Sequence, residues 1–184
     1  MISLPRNTIT TARLNLQPYQ VLYALDFFML IRKNENRLVE YFPKTLEATQ
    51  TLNDTKDCIQ EKIFDWNKKK SFAFMIFLKE DNSLIGHINI KDIDWKKRSA
   101  ELSYFIDETH ENQGLMSEAI QCLLQLCFKI LKLENVTAQI VNDNTTSIKV
   151  AQKNGLQYEG AFYHTTQNNN HISRYGISKE VYLG

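Results

Sequence analysis

Residues 107–133 read DETHENQGLMSEAIQCLLQLCFKILKL, and the fold of the chain is predicted outward from this stretch. An apolar segment ends at Ile106, a polar loop with the single glycine Gly114 follows, and an amphipathic segment begins directly after it. The first turn of a helix has free N–H groups and the positive end of the helix dipole, so such a loop suits a phosphate or another anion. A single glycine is weak evidence, and an ordinary strand-to-helix turn is the alternative.

The segments on either side of this stretch give the fold class. Three apolar segments joined by short turns precede it, Ser71–Lys79, Leu84–Ile93 and Ser99–Ile106, and they predict an antiparallel meander. The stretch itself predicts a helix of about 17 residues, because its apolar residues recur at spacings of three and four. The next strand, Val136–Val141, is then reached by a crossover helix, so it should run parallel to Ser99–Ile106.

The remaining elements complete one predicted domain over residues 1–184, in the order β-α-α-β-β-β-α-β-α-β-β. The sequence predicts a first strand at Ala12–Gln17, helices at Val21–Arg32, Leu52–Asn67 and Thr145–Lys153, a loop at Leu38–Lys44, and closing strands at Leu156–His164 and His171–Tyr182 around the turn Thr165–Asn170. Asn34 and Asn36 are expected to end the first helix, Thr45 or Thr51 to cap the second, and Asn154-Gly155 to end the third.

Composition excludes several classes of protein. The charge is nearly balanced, with 22 Lys+Arg against 21 Asp+Glu, so strong attraction to nucleic acid or to an anionic membrane is not expected. Three cysteines without a CxxC pattern suit a reducing compartment, and no segment reads as a signal peptide or a membrane span, so we expect a cytoplasmic protein. The four histidines lack metal-ligand spacing, so no metal site is predicted.

Three further residues are candidates for chemistry. Glu101 lies in the predicted strand Ser99–Ile106, on the face it shares with Ser103 and Phe105, where a carboxylate needs a partner or solvent. It is either a general base or a salt-bridged strand residue. Asn144 can cap the helix that follows it and Ser147 lies about one turn inside that helix, so these two residues could equally be structural.

Taken together, these segments resemble the GNAT superfamily of acyl-CoA-dependent N-acetyltransferases, and more closely its ribosomal-protein serine/alanine N-terminal acetyltransferase branch. The resemblance extends from about Thr11 to Tyr182 and rests on several motifs: TARLNLQPY, LIGHINI, SAELSYFID, HENQGLMSEA and NTTSIKVAQKNGLQYEG. It implies an α+β fold with a mostly antiparallel sheet of about seven strands and four helices. The sheet is expected to be splayed between Ser99–Ile106 and Val136–Val141.

The resemblance also implies roles for individual residues. The diphosphate of acetyl-CoA would lie on the amides of Gln113, Gly114, Leu115, Met116 and Ser117. The pantetheine arm would enter the splay beside Phe105 and Ile106 and contact Asn144. Ser147 would give a proton to the departing CoA thiolate, and no metal would be involved.

The sequence departs from the family pattern at three places. Glu111 stands where an arginine or glutamine is usual, so its charge is expected to point away from the phosphates. Met116 replaces a small residue. Some members have a proposed glutamate base in the region that matches Tyr163–Asn168, which contains no acid here. The base is therefore expected to be Glu101 or a chain of water molecules.

Three functions fit these features: acetylation of a protein N-terminus, acetylation of a small amine such as a polyamine, aminoglycoside or amino acid derivative, and coenzyme binding without catalysis. The acceptor cleft is expected among the first two helices and Leu38–Lys44, with Tyr41, Phe42 and Trp66 as candidates that could equally be core residues. A homodimer is possible, and the sequence does not identify the acceptor.

Overall fold

The computed structural model describes residues 8–163 and 171–184. Residue contacts divide the chain into two compact units. The N-terminal unit comprises residues 8–89 and Tyr104–Leu115, and the C-terminal unit comprises Ile90–Ser103 and the described residues from Met116 onward. The predicted turn Thr165–Asn170 and His164 lie outside the described residues.

The N-terminal unit contains the first part of the sheet. Its strands are β1 (Ile9–Thr10), β2 (Leu14–Pro18), β3 (Phe72–Leu78), the first part of β4 (Leu84–Asp94) and the last part of β5 (Ser99–Ile106). They are neighbours in the order β1-β2-β3-β4-β5. β2 pairs antiparallel with β3, with Leu14 opposite Leu78. The predicted succession of three neighbouring meander strands is confirmed.

Four α-helices belong to this unit: α1 (Ala24–Lys33), α2 (Glu35–Tyr41), α3 (Pro43–Glu47) and α4 (Leu52–Asn67). A short 3₁₀ turn at Val21–Tyr23 precedes α1. The predicted bounds of α4 are confirmed. Its N-cap is Thr51, whose side chain accepts from the Asp54 N–H while the Asp54 carboxylate accepts from the Thr51 N–H, so a reciprocal capping box fixes the start of the helix.

The predicted loop at Leu38–Lys44 is wrong, because α2 and α3 cover almost all of it. Tertiary packing explains the helices: Leu38 is buried, and the Phe42 ring meets the Phe105 ring edge-on with centroids 5.4 Å apart. Pro43, which reads as a breaker in the sequence, instead starts α3, where its missing N–H costs nothing. Asn34 ends α1 as predicted, but Asn36 lies within α2.

The C-terminal unit contains the other part of the sheet. Its elements after β5 are α5 (Leu115–Gln125), which starts at the last residue of the N-terminal unit, a π-helical turn at Leu126–Ile130, β6 (Asn135–Val141), α6 (Thr145–Lys153), β7 (Gln157–Tyr163), β8 (His171–Ser178) and α7 (Lys179–Leu183). The strands are neighbours in the order β4-β5-β6-β8-β7. Gly155, at φ +85°, ends α6 in the left-handed conformation that the sequence predicts.

The parallel pairing of β5 with β6 is confirmed. Their register runs from Ser99 opposite Asn135 to Leu102 opposite Ala138, although β6 continues to Val141. β6 also pairs antiparallel with β8 over its whole length. The prediction of a strand to Tyr182 is wrong at its end, because the Ser178 hydroxyl caps a short helix there.

The described residues thus form a mixed α/β structure with eight strands and seven α-helices, against about seven strands and four helices expected. Two of the additional helices replace the predicted loop and the third ends the chain. Among the described residues, no helix is long and apolar enough to span a membrane.

The core of the N-terminal unit contains a buried polar pair. Tyr19 and His87 lie among apolar residues of α1, α4 and β3, and the Tyr19 hydroxyl and His87 Nδ1 are 2.8 Å apart. Burial, with the charge of Lys62, lowers the pKa of His87 to about 3, and burial raises the pKa of Tyr19 well above its usual value. Both groups are therefore neutral at physiological pH.

This pair predicts a pH dependence of stability. The pKa of His87 falls from an ordinary 6.5 to about 3 on folding, so the unfolded chain binds the proton more readily. The contribution of His87 to the free energy of unfolding is fully present above pH 6.5. It decreases as the pH falls below 6.5, and the loss is about 2 kcal/mol at pH 5. Urea unfolding at pH 7.5 and pH 5 should show this loss in the wild-type protein, and His87→Gln should remove it.

His171→Gln is the matched control, because His171 is exposed. It should leave the pH dependence unchanged. An equal pH dependence in His87→Gln and the wild-type protein would show that His87 does not bind the proton.

Candidate functional site

The predicted anion loop leaves β5 in a defined conformation. The Asp107 N–H donates to the Ile85 carbonyl over 2.7 Å, and a 3₁₀ turn covers Glu108–His110. Asn112 and Gly114 have φ of +58° and +74°, so the backbone is left-handed on both sides of Gln113. A glycine adopts such an angle without cost, which explains the only glycine in the loop.

The start of the loop is attached to the end of α1 by two residues. Lys33 Nζ lies 2.6 Å from Asp107 Oδ2. Burial alone would raise the pKa of Asp107, but the hydrogen bond and charge of Lys33 outweigh it and the pKa lies below its usual value. The buried Asn34 side chain donates to the Leu30 carbonyl and accepts from the Glu108 N–H, so it joins the helix end to the loop.

Glu111, the acid that departs from the family pattern, is paired. Its carboxylate forms an ion pair with the guanidinium of Arg37 on α2, and the Glu111 side chain is only 20% exposed. A nearby cation offsets the negative charge that the loop would otherwise present to an anion.

The last part of the loop is attached to the beginning of β2. Arg13 Nη1 donates to the Gln113 carbonyl over 2.9 Å. The same guanidinium lies beside Gly114, since a Cβ atom built on Gly114 would be 3.7 Å from Arg13 Nη2. Four side chains from other parts of the N-terminal unit therefore hold the predicted phosphate-binding loop: Lys33, Asn34, Arg37 and Arg13.

Phe105 and Ile106, predicted to lie beside the pantetheine, are both buried. The Phe105 ring packs against Phe42 and His87 in the N-terminal unit. A Cβ atom at Gly86 would be 2.6 Å from the Phe105 carbonyl oxygen, so β4 must have a glycine where it approaches β5.

The first turn of α5 contains Leu115, Met116 and Ser117, all of them buried. The Met116 side chain, expected to narrow the phosphate site, is 6% exposed. In the C-terminal unit the Asn154 side chain donates to the Ser117 hydroxyl over 2.9 Å, so the end of α6 is attached to the start of α5.

Glu101 is buried and paired within the C-terminal unit. Lys91 Nζ lies 2.6 Å from Oε1, and Gln139 Nε2 donates to Oε2 over 2.8 Å. Burial lowers the pKa of Lys91, but the hydrogen bonds and charges of Glu101 and Asp92 outweigh this effect, and the pKa lies above its usual value. The salt-bridged alternative for Glu101 is therefore what the structure has, and any role as a base must operate from within this pair.

Asn144 and Ser147 begin α6, which follows β6. The Asn144 side-chain oxygen accepts from the Ser147 N–H over 3.0 Å and so acts as the N-cap. This contact fixes the two residues relative to each other and holds the half-buried Ser147 in the first turn of the helix.

Two of the predicted acceptor aromatics have core contacts in the N-terminal unit. Phe42 packs on Phe105, and Trp66 meets Phe72 and Phe74 edge-on. Trp66 also lines a cavity of about 270 Å³ between the end of β2 and α4. The region without an acid, from residue 164 to residue 168, lies outside the described residues.

Five residues that contact the loop or Glu101 have no signal in the sequence pattern: Arg13, Lys33, Arg37, Lys91 and Gln139. The unusual acid at position 111 is expected from the sequence only to point away from the phosphates, and its pairing with Arg37 is what the structure adds. Within the described part of the chain, no group of three His, Cys, Asp or Glu side chains could hold a metal ion.

Comparison with known proteins identifies the family. Residues 13–157 match the family described as acetyltransferase (GNAT) domain. The chain is 32% identical over 138 residues to the ribosomal-protein-serine acetyltransferase of Escherichia coli (strain K12), and the match covers 75% of each chain.

Two solved structures share the fold. A ribosomal L7/L12 alpha-N-protein acetyltransferase in complex with coenzyme A superposes with a TM-score of 0.85 at 20% identity, over 94% of this chain and 98% of that chain. A microcin C7 self-immunity acetyltransferase in complex with acetyl-CoA and AMP superposes with a TM-score of 0.84 at 18% identity, over 95% and 97% of the two chains.

Proposed function

Since the chain belongs to the GNAT family of acetyltransferases, we propose that it transfers the acetyl group of acetyl-CoA to the N-terminal α-amine of a protein, as in the ribosomal-protein type. Dependence on acetyl-CoA and transfer to nitrogen are family properties. The acceptor and the roles of individual residues are the proposal. The 32% identity to a ribosomal-protein-serine acetyltransferase supports the choice of acceptor.

The register of β5 and β6 is the observation that supports our placement of the pantetheine arm of the coenzyme. Their pairing ends at Leu102 and Ala138, while β6 continues to Val141. A strand that extends past its paired segment can offer backbone groups to an amide-containing ligand, in the way that a peptide adds to a sheet. The pantetheine arm contains two such amides, so we assign it to this segment, with Asn144 beside it.

The diphosphate is assigned to the loop at the start of α5. The left-handed conformation at Gly114 turns the backbone into the helix, and the first turn of the helix has unpaired N–H groups. Gln113, Gly114, Leu115, Met116 and Ser117 are the residues whose amides would receive the phosphates. Their backbone provides the contacts, so the burial of the Leu115 and Met116 side chains is compatible with the assignment.

The reaction needs little acid–base assistance. Bound acetyl-CoA supplies an activated thioester, which a neutral amine attacks directly. An α-amine has a pKa of about 8, so a useful fraction is neutral at physiological pH. Ser147 is assigned as the donor that protonates the leaving thiolate, and Glu101 as the proton acceptor, directly or through water.

The acceptor is tested by incubating the protein with acetyl-CoA and matched amines. With peptides that begin with serine or alanine, free CoA should be released and mass spectrometry should show one added acetyl group on the peptide. The same peptides with blocked N-termini should show neither. Spermidine, an aminoglycoside and an amino acid amide test the small-molecule alternative. Transfer only to a small amine would contradict the protein acceptor, and CoA binding without any transfer would indicate a binding module.

Ser147→Ala should lower kcat by about tenfold to a hundredfold, because the thiolate loses its proton donor. The Kd of acetyl-CoA should stay within about twofold, since a single hydroxyl contributes little to coenzyme affinity. Thr146→Ala, which removes the neighbouring exposed hydroxyl, is the control and should leave both values unchanged. Unchanged turnover in Ser147→Ala would remove the assigned role.

Glu101→Gln should displace the acidic limb of the kcat/KM profile if Glu101 accepts the proton. The control is Glu134→Gln, which removes a different ion-paired acid, one that has Arg98 and Lys179 as its partners. The control should keep the wild-type profile. A profile for Glu101→Gln that superimposes on the wild-type profile would exclude Glu101 and assign the proton to water.

A further inference from the structure

We propose that Arg13 and Arg37 are positioning residues for the coenzyme diphosphate, acting through the backbone and the charge of the loop at residues 107–114. This inference rests on the proposed assignment of the diphosphate to that loop. Both arginines are distant in the chain from the loop: Arg13 directly precedes β2 and Arg37 lies in α2. All the contacts involved lie within the N-terminal unit.

Arg13 fixes the direction of one peptide group. Its guanidinium holds the Gln113 carbonyl over 2.9 Å. In a trans peptide the carbonyl and the following N–H point in opposite directions, so the Gly114 N–H is directed away from Arg13. The left-handed glycine would otherwise let this peptide rotate, because glycine has few steric restrictions. Arg13 therefore holds an amide donor in place for a phosphate.

Arg37 has a different task, because the loop contains an acid three residues before Gly114. An uncompensated carboxylate at Glu111 would repel a diphosphate that carries two negative charges. The ion pair with Arg37 neutralises that carboxylate and holds it against α2. The two side chains are 34% and 20% exposed, so water screens the pair only in part.

The contacts of Lys33 and Asn34 fix the start of the loop, to which Arg13 and Arg37 then bind. Lys33 and Asn34 hold Asp107 and Glu108 against the end of α1, so the loop begins at a fixed place. α2 starts directly afterwards at Glu35 and presents Arg37 within the same helical turn. The coenzyme would then meet a loop whose shape is already determined, which reduces the ordering cost of binding.

The test measures binding of CoA, dephospho-CoA and pantetheine by isothermal calorimetry. Dephospho-CoA keeps the diphosphate but lacks the 3′-phosphate, and pantetheine lacks every phosphate. Arg13→Ala and Arg37→Ala should each weaken CoA and dephospho-CoA by about tenfold and leave pantetheine within about twofold. A general loss of structure would weaken all three ligands, and melting temperatures measured alongside would reveal it.

Rescue experiments distinguish positioning from a merely structural role. Arg13→Lys keeps a donor for the Gln113 carbonyl and should recover most of the affinity. The double variant Arg37→Ala/Glu111→Gln removes both charges and should bind CoA within about threefold of the wild-type protein. Arg32→Ala is the control, because Arg32 is paired with Glu35 rather than with the loop.

Two results would overturn the proposal: equal loss of affinity for pantetheine and CoA in Arg13→Ala, or a double variant that binds no better than Arg37→Ala. Failure of the proposed function is a separate result. It would appear as absence of acetyl transfer by the wild-type protein, whereas the binding measurements do not require turnover.

Discussion

The parallel pairing of β5 with β6 is the constraint on which the candidate site depends. Parallel neighbours cannot be joined by a tight turn, so the chain must leave β5, form α5 and return. A helix start is thereby placed at Leu115, at the end of the loop that leaves β5, and a second one follows β6 at α6. The predicted diphosphate residues occupy the first of these starts, and Asn144 and Ser147 occupy the second. The crossover that the parallel pairing requires thus accounts for the first helix N-terminus, while the second begins where the chain leaves β6.

Basic residues that lie far away in the sequence compensate two acids of the loop at residues 107–114. Glu111 and Asp107 would both be unfavourable beside phosphates, yet each has a basic partner 74 residues away in the chain. Arg13 reaches the loop from 100 residues away. The helices α1 and α2 therefore support the loop to which the coenzyme diphosphate is assigned.

The sequence predicts those parts of the fold that local rules determine. The bounds of α4, α6 and β5 follow from caps, turns and periodicity, and all three are confirmed. α2 and α3 could not be found in this way, since burial of Leu38 and packing of Phe42 outweigh the breaker signal of Pro43. The ion-pair partners could not be predicted either, because the pattern of a single sequence carries no information on contacts between residues far apart in the chain.

The paired state of Glu101 bears on which amine the protein can acetylate. Both carboxylate oxygens already accept hydrogen bonds, from Lys91 and Gln139, so removal of a proton from the acceptor cannot rely on an unengaged carboxylate. An acceptor that is often neutral by itself needs no deprotonation before it attacks the thioester, so only the proton released after the attack has to be accepted. At pH 7 about one α-amine in ten is neutral, against about one lysine-type amine in a few thousand. This difference of more than a hundredfold in reactive amine favours the proposed N-terminal acceptor over a polyamine.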